Sequence, residues 1–137
     1  MVDVVAAGRT PVSELVEDEV VTVPPDLGLI ETAETLVDAD IGAVLVKAEG
    51  TVVGVLSERD VVRAVAQGRD LAATSAREMA STALIWCDVG ATVAEVAAEM
   101  MERYVRHVLV ESDGALVGVV SARDLLGVYV TAEPAGD

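Results

Sequence analysis

The chain has 137 residues, 53% of them hydrophobic but only 2% aromatic, and a formal net charge of −15. That length allows one ordinary domain or two half-domains sharing a core, with an interior of Val, Ala, Leu and Ile. So acidic a chain lacks the clustered Lys and Arg that nucleic acid or an anionic membrane surface requires, and its hydrophobic content excludes disorder.

The acidity is spread over both halves, −9 through Asp70 and −6 after it, so an anionic ligand would depend on local cations and backbone N–H groups. Cys87 is the one cysteine and His107 the one histidine, so neither an internal disulfide nor a metal site is expected. A reducing cytoplasm is the expected location. MVDVVAAGRT carries no basic segment followed by a long apolar run, and no apolar stretch reaches membrane-spanning length, which predicts a soluble, unexported protein.

Along the chain, Val12 to Leu15 predicts a short helical turn and Val20 to Val23 a brief strand stopped by Pro24 and Pro25. Between them the acidic run Glu17-Asp18-Glu19 reads as a solvated loop. A helical pattern starts at Asp26, with Leu29, Ile30, Ala33, Leu36 and Val37 as its buried face and Gly42 after its end. Ala43 to Val46 and Val52 to Leu56 are β-rich runs joined by Lys47 to Thr51, which has the length and the Gly of a hairpin connection. Ser57 caps a second helix, with Val61, Val62, Val65 and Ala66 as apolar positions and Gly68 at its end.

The second half copies this order. Leu84 to Cys87 predicts a strand, Thr92 to Arg103 a helix, His107 to Val110 and Leu116 to Val120 a hairpin, and Ala122 onward a helix. The copying is literal in places: GVLSERD at Gly54 to Asp60 returns as GVVSARD at Gly118 to Asp124, 64 positions later. From Val44 to Asp60, ten of seventeen positions match at that offset without a gap. The organisation expected is an N-terminal segment (1–11), a first repeat (12–67), a linker (68–75), a second repeat (76–130) and a frayed tail (131–137).

The matches include Ser57/Ser121, Arg59/Arg123 and Asp60/Asp124, polar identities that a shared core would not preserve. At a strand end leading into a helix, unpaired N–H groups and the positive end of the helix dipole attract a phosphate, with the Ser hydroxyl beside them. The Arg adds a cation, the Asp can accept two hydrogen bonds from a ribose diol, and Gly54 and Gly118 allow close backbone approach. Ser-x-x-Asp also resembles a capping box, which would leave Ser57 and Asp60 as local helix caps contributing about 1 kcal/mol. Capping gives no role to Arg59 or Arg123.

The paired motifs resemble those of tandem cystathionine beta-synthase (CBS) domains, a Bateman module, over Val12 to about Tyr129. The resemblance implies an α/β fold of the α+β type. Each repeat would run strand, helix, strand, strand, helix, and the two would pack sheet to sheet about a pseudo-twofold axis. It implies two clefts for AMP, ADP or ATP, or for S-adenosylmethionine. One would take Val119, Ser121, Arg123, Asp124 and Arg106, with Val16, Val21, Ile41 and Gly42 as walls. The other would take Val55, Ser57, Arg59 and Asp60, with Ala80, Ile85 and Val105. Because Gly42 stands where the second repeat has Arg106, the Asp124 cleft is expected to bind a phosphorylated ligand better. Neither cleft offers an aromatic, so adenine would rest on Val and Ile.

His107 is expected on the opposite strand face from Arg106, as a packed or solvated residue. Cys87 reads as a small buried hydrophobe, Trp86 as an interface anchor or packed edge residue, and Met79, Met100 and Met101 as core. The function expected is a cytoplasmic, non-enzymatic sensor of an adenosyl ligand, signalling in trans to an unidentified protein partner or through a homodimer. The alternative is a ligand-independent assembly protein whose duplicated Ser-x-Arg-Asp segments are only caps and salt bridges.

Overall fold

The computed structural model describes residues 3–16 and 20–131; the run Glu17-Asp18-Glu19 and the tail after Thr131 lie outside the described residues. Helix α1 (Val4–Gly8) and one short helical turn (Val12–Glu14) come first. The first repeat contributes β1 (Thr22–Val23), α2 (Leu29–Ala39), β2 (Ala43–Ala48), β3 (Thr51–Ser57) and α3 (Glu58–Ala66). The second repeat gives α4 (Ala76–Met79), then β4 (Trp86–Asp88), α5 (Val93–Arg103), β5 (His107–Ser112), β6 (Ala115–Ser121) and α6 (Ala122–Thr131). The strand, helix, strand, strand, helix order is therefore present twice.

Each repeat forms a three-stranded sheet, β1-β2-β3 or β4-β5-β6, whose first pair is parallel and second pair antiparallel. Both hairpins close through two residues of positive φ, Glu49-Gly50 (51° and 80°) and Asp113-Gly114 (51° and 78°). Such turns match the twist of paired strands, and the Gly makes the second position free of strain. Both hairpins also carry a register shift, between Val46 and Lys47 and between Val110 and Glu111, beside Gly54 and Gly118. The repeat is thus conserved down to its irregularities.

The compact units do not follow the order of the chain. One comprises Val20–Leu84, and the other joins the described parts of Met1–Glu19 and Ile85–Asp137. Backbone pairing explains the exchange. Val12 N donates to Ala91 O at 2.8 Å and Val93 N to Thr10 O at 2.8 Å, which ties the N-terminal segment to the start of α5. In the other unit, Leu29 N donates to Thr74 O at 2.9 Å and Ala76 N to Leu27 O at 2.7 Å, at the start of α2. A helix's first turn leaves N–H groups without intrahelical partners, and here the lead-in to one repeat satisfies them for the other. Val12 and Ala76, 64 positions apart, are both fully buried.

Each unit has a core cluster of its own. Val23, Leu29, Leu36, Val44, Val46 and Leu56 form one with Ala64, Ala76 and Met79, and Val12, Val93, Val96, Met100, Val108, Val110, Val120 and Leu125 form the other.

Several expected core positions face outward. α2 begins at Leu29 rather than Asp26, and it buries Leu29, Thr32 and Leu36 while Ile30 and Val37 are exposed. Thr32 can be buried because its hydroxyl donates to Gly28 O at 2.8 Å. On α3 the buried residues are Asp60 and Ala64, with Val62, Val65 and Ala66 exposed and Val61 half-buried. Met79 and Met100 lie in the cores, but Met101 is 79% exposed one residue around its helix. A helix with apolar residues on more than one face buries only the face its sheet covers.

Candidate functional site

The Ser-x-Arg-Asp segments fall where β3 runs into α3 and β6 into α6. At the first junction Ser57 Oγ accepts from Asp60 N at 3.3 Å, while Asp60 Oδ2 accepts from Ser57 N at 2.8 Å and from Ser57 Oγ at 3.0 Å. This is a complete capping box, and Asp60 is buried in it. Its other oxygen, Oδ1, accepts from Arg63 Nη1 at 2.9 Å. Both oxygens of Asp60 are therefore engaged by the protein.

The second junction has the same cap and a different carboxylate. Ser121 N donates to Asp124 Oδ2 at 2.8 Å, and Asp124 N to Ser121 Oγ at 3.0 Å. Asp124 is exposed, and the position 64 residues after Arg63 is Gly127, so no guanidinium reaches its second oxygen from that turn of α6. A carboxylate oriented by one backbone N–H and open on its other oxygen can receive a pair of hydroxyl donors.

The charges nearby differ too. Ala122 N donates to Arg106 O at 2.8 Å, and Glu58 N to Gly42 O at 2.9 Å, so positions 106 and 42 sit at the entrance to equivalent helices. The second junction thus has Arg106, Ala122, Arg123 and Asp124 where the first has Gly42, Glu58, Arg59 and Asp60. Two acidic residues, Glu58 and Asp60, occupy the first turn of α3, against Asp124 alone on α6. More of the positive helix end is left for an anion at α6. Arg59, Arg106 and Arg123 are exposed and belong to none of the ion pairs among the described residues, which are Arg63–Asp60, Arg69–Glu78 and Arg103–Glu99.

Apolar residues border each junction from within its own unit. Val55 exchanges two backbone hydrogen bonds of 2.9 Å with Ser81, which brings Ala80 against β3. A Cβ on Gly54 would lie 2.9 Å from Ala80 Cβ, and one on Gly118 would collide with the Val16 side chain. Ala80 and Val16 stand 64 positions apart and do the same job for the two sheets. Val119 is half-buried beside Gly118. Of the remaining expected wall residues, Val21 and Ile41 pack partly buried on the core of the Val20–Leu84 unit, and Ile85 and Val105 on that of the other. Val16, Arg106, Val119, Ser121, Arg123 and Asp124 thus share one unit, and Val21, Ile41, Gly42, Val55, Ser57, Arg59, Asp60 and Ala80 share the other.

Sequence reasoning passed over Arg63, Gly127 and Glu58. The signal was present, because carrying the 64-residue offset three positions past each Asp pairs Arg63 with Gly127.

Cys87 is half-buried on β4, and burial first, then the charges of Asp88 and Glu111, push its thiol above the ordinary range. It fits the inert, small-hydrophobe reading. Trp86 is exposed on the same strand, and His107 is half-buried in register with Ser121.

A duplicated three-stranded unit with a Ser-x-Arg-Asp cap at each strand-to-helix junction defines a CBS-type repeat pair. The CBS domain profile matches residues 12–67 and again 76–131, and the chain belongs to the CBS-domain family. It is 29% identical over 126 residues to the CBS domain-containing protein YhcV of Bacillus subtilis, covering 91% of this chain and 89% of that one. Among solved structures, the CBS-domain containing protein ATU1752 from Agrobacterium tumefaciens is 36% identical with a TM-score of 0.79, covering 88% of this chain and 93% of that one. The CBS domain protein PAE2072 from Pyrobaculum aerophilum, complexed with AMP, is 33% identical with a TM-score of 0.74, covering 89% and 99%. No helix among the described residues is long and apolar enough to cross a membrane.

Proposed function

We propose that this protein is a regulatory module that binds an adenosine nucleotide or another adenosyl ligand, with Asp124 as its principal ribose acceptor. The observation that carries the reading is the state of that carboxylate: exposed, oriented through Oδ2 by Ser121 N at 2.8 Å, and flanked in sequence by the unpaired Arg123. Ser121 and the first turn of α6 then serve the phosphate or other polar end, with Arg106 and Arg123 as mobile cations and Val16 and Val119 as apolar contacts. Asp60, Ser57 and Arg59, with Val55 and Ala80, form the weaker counterpart. The 33% identity to a family member complexed with AMP supports the ligand class.

The module acts without catalysis of its own, in the cytoplasm, and ligand binding shifts its assembly with a second copy or a protein partner. Exposed apolar residues recur at equivalent positions, Val37 with Met101 and Val62 with Leu126, which supports a homodimer burying both repeats alike. The test is a thermal-shift panel of AMP, ADP, ATP and S-adenosylmethionine. A ligand at a hundred times its dissociation constant adds about 2.7 kcal/mol of stability. No shift at millimolar concentrations of any of the four would reject the reading.

A second reading, an assembly protein in which the duplicated motifs only cap helices, draws support from Asp60. Its complete capping box accounts for Ser57 and Asp60 without a ligand.

A further inference from the structure

We propose that Arg63 is a built-in competitor for the ligand's hydroxyls at Asp60, so that the chain binds one adenosyl ligand tightly rather than two. This rests on the adenosyl reading above and assigns a specificity-determining role to a residue outside the duplicated motif.

An ionised carboxylate offers about four lone-pair positions. Asp60 spends three of them inside the protein, on Ser57 N, Ser57 Oγ and Arg63 Nη1. A vicinal diol brings two donors, so it can be accommodated only if one of these partners leaves, and Arg63 is the one whose departure frees Oδ1. Asp124 spends one on Ser121 N, and it keeps room for both. The burial of the two partners sets how firmly the competitor is held. The side chain of Asp60 is 10% exposed and that of Arg63 is 51% exposed. Arg63 therefore reaches in from solvent to a carboxylate that has little other access to water, which makes the pair stronger than a surface pair and still displaceable.

The duplicated position supports the same conclusion. Gly127 replaces Arg63, and a Cβ built there meets nothing within 4 Å, so a side chain could start from that position without a clash at its first carbon. No packing demand at position 127 requires glycine.

The experiment measures AMP binding by titration calorimetry in five proteins: wild type, Asp124→Asn, Asp124→Asn with Arg63→Ala, Asp124→Asn with Arg63→Met, and Gly127→Arg. Wild type should bind one equivalent tightly. Asp124→Asn should leave only weak binding, and adding Arg63→Ala to it should tighten that binding about five- to tenfold, the order expected for releasing a charge-assisted hydrogen bond. Gly127→Arg should weaken the tight site by a similar factor. Arg63→Met in place of Ala preserves the aliphatic stem and should give the same gain, which separates competition from a change in helix packing. If Arg63→Ala leaves residual binding unchanged, or weakens it, the competitor role is overturned while the adenosyl reading stands. If wild type gives no binding of AMP, it is the adenosine-nucleotide reading that fails, and this inference with it.

Discussion

Arg63 Nη1 lies 2.9 Å from Asp60 Oδ1, and the residue that repeats Arg63 in the second half is Gly127. A difference three residues beyond a duplicated motif therefore engages one of two matching Ser-x-Arg-Asp carboxylates and leaves the other open. Asp60 is a buried structural acceptor, whereas Asp124 is an exposed carboxylate with capacity to spare.

Stability should separate the two aspartates. Asp60→Ala removes the acceptor for Ser57 N and leaves Arg63 without its ion pair, and it should cost about 1–3 kcal/mol. Asp124→Ala removes an exposed cap and should cost about 1 kcal/mol or less. Urea unfolding midpoints report both, and a larger loss at Asp124 would contradict the assignment of roles.

Glycine substitutions should behave in opposite ways at three sites. Gly118→Ala drives a Cβ into Val16, and Gly54→Ala sets one 2.9 Å from Ala80 Cβ and 3.2 Å from Ser81 O. Each should destabilise by about 1–3 kcal/mol, because a packed interior yields little to an added methyl. Gly127→Ala, inside α6 and facing open space, should stabilise by about 0.5–1 kcal/mol. Thermal midpoints of the three variants give the signs directly.

Cys87 should react slowly. Its thiol is raised by burial and by Asp88 and Glu111, so the folded chain keeps that proton to higher pH than the unfolded chain does. The resulting contribution to stability is present below the unfolded thiol's pKa and lost as pH rises through the folded one. Iodoacetamide at pH 8 should modify native protein more slowly than protein unfolded in urea. Equal rates would show that Cys87 is neither shielded nor perturbed.

Much of the fold was legible because it is written locally. Pro24 and Pro25 stop a strand, Glu49-Gly50 and Asp113-Gly114 turn two hairpins, and Ser57 opens a helix, each through its own backbone chemistry. The exchange of lead-in segments was not legible. It depends on Val12 meeting Ala91 and on Thr74 meeting Leu29, pairings across long stretches of chain that no local pattern announces. The faces of α3 were misread for a related reason. Val62 and Val65 look like core residues by composition, but α3 buries the face that carries Asp60 and Ala64, which leaves both valines outside. At the junctions, the residue types of the motif identified Ser57, Asp60, Ser121 and Asp124 as chemically paired. Part of what distinguishes the pairs, Gly42 against Arg106, was legible too, but the engagement of Asp60 by Arg63 lay outside the motif.

Equilibrium dialysis of labelled AMP against wild type and Asp124→Asn tests the ligand site most directly. Wild type should retain AMP saturably, and Asp124→Asn, which keeps the side-chain shape and removes the charge, should lose most of that retention. Retention that is absent in wild type, or unchanged in Asp124→Asn, would contradict ribose recognition at Asp124.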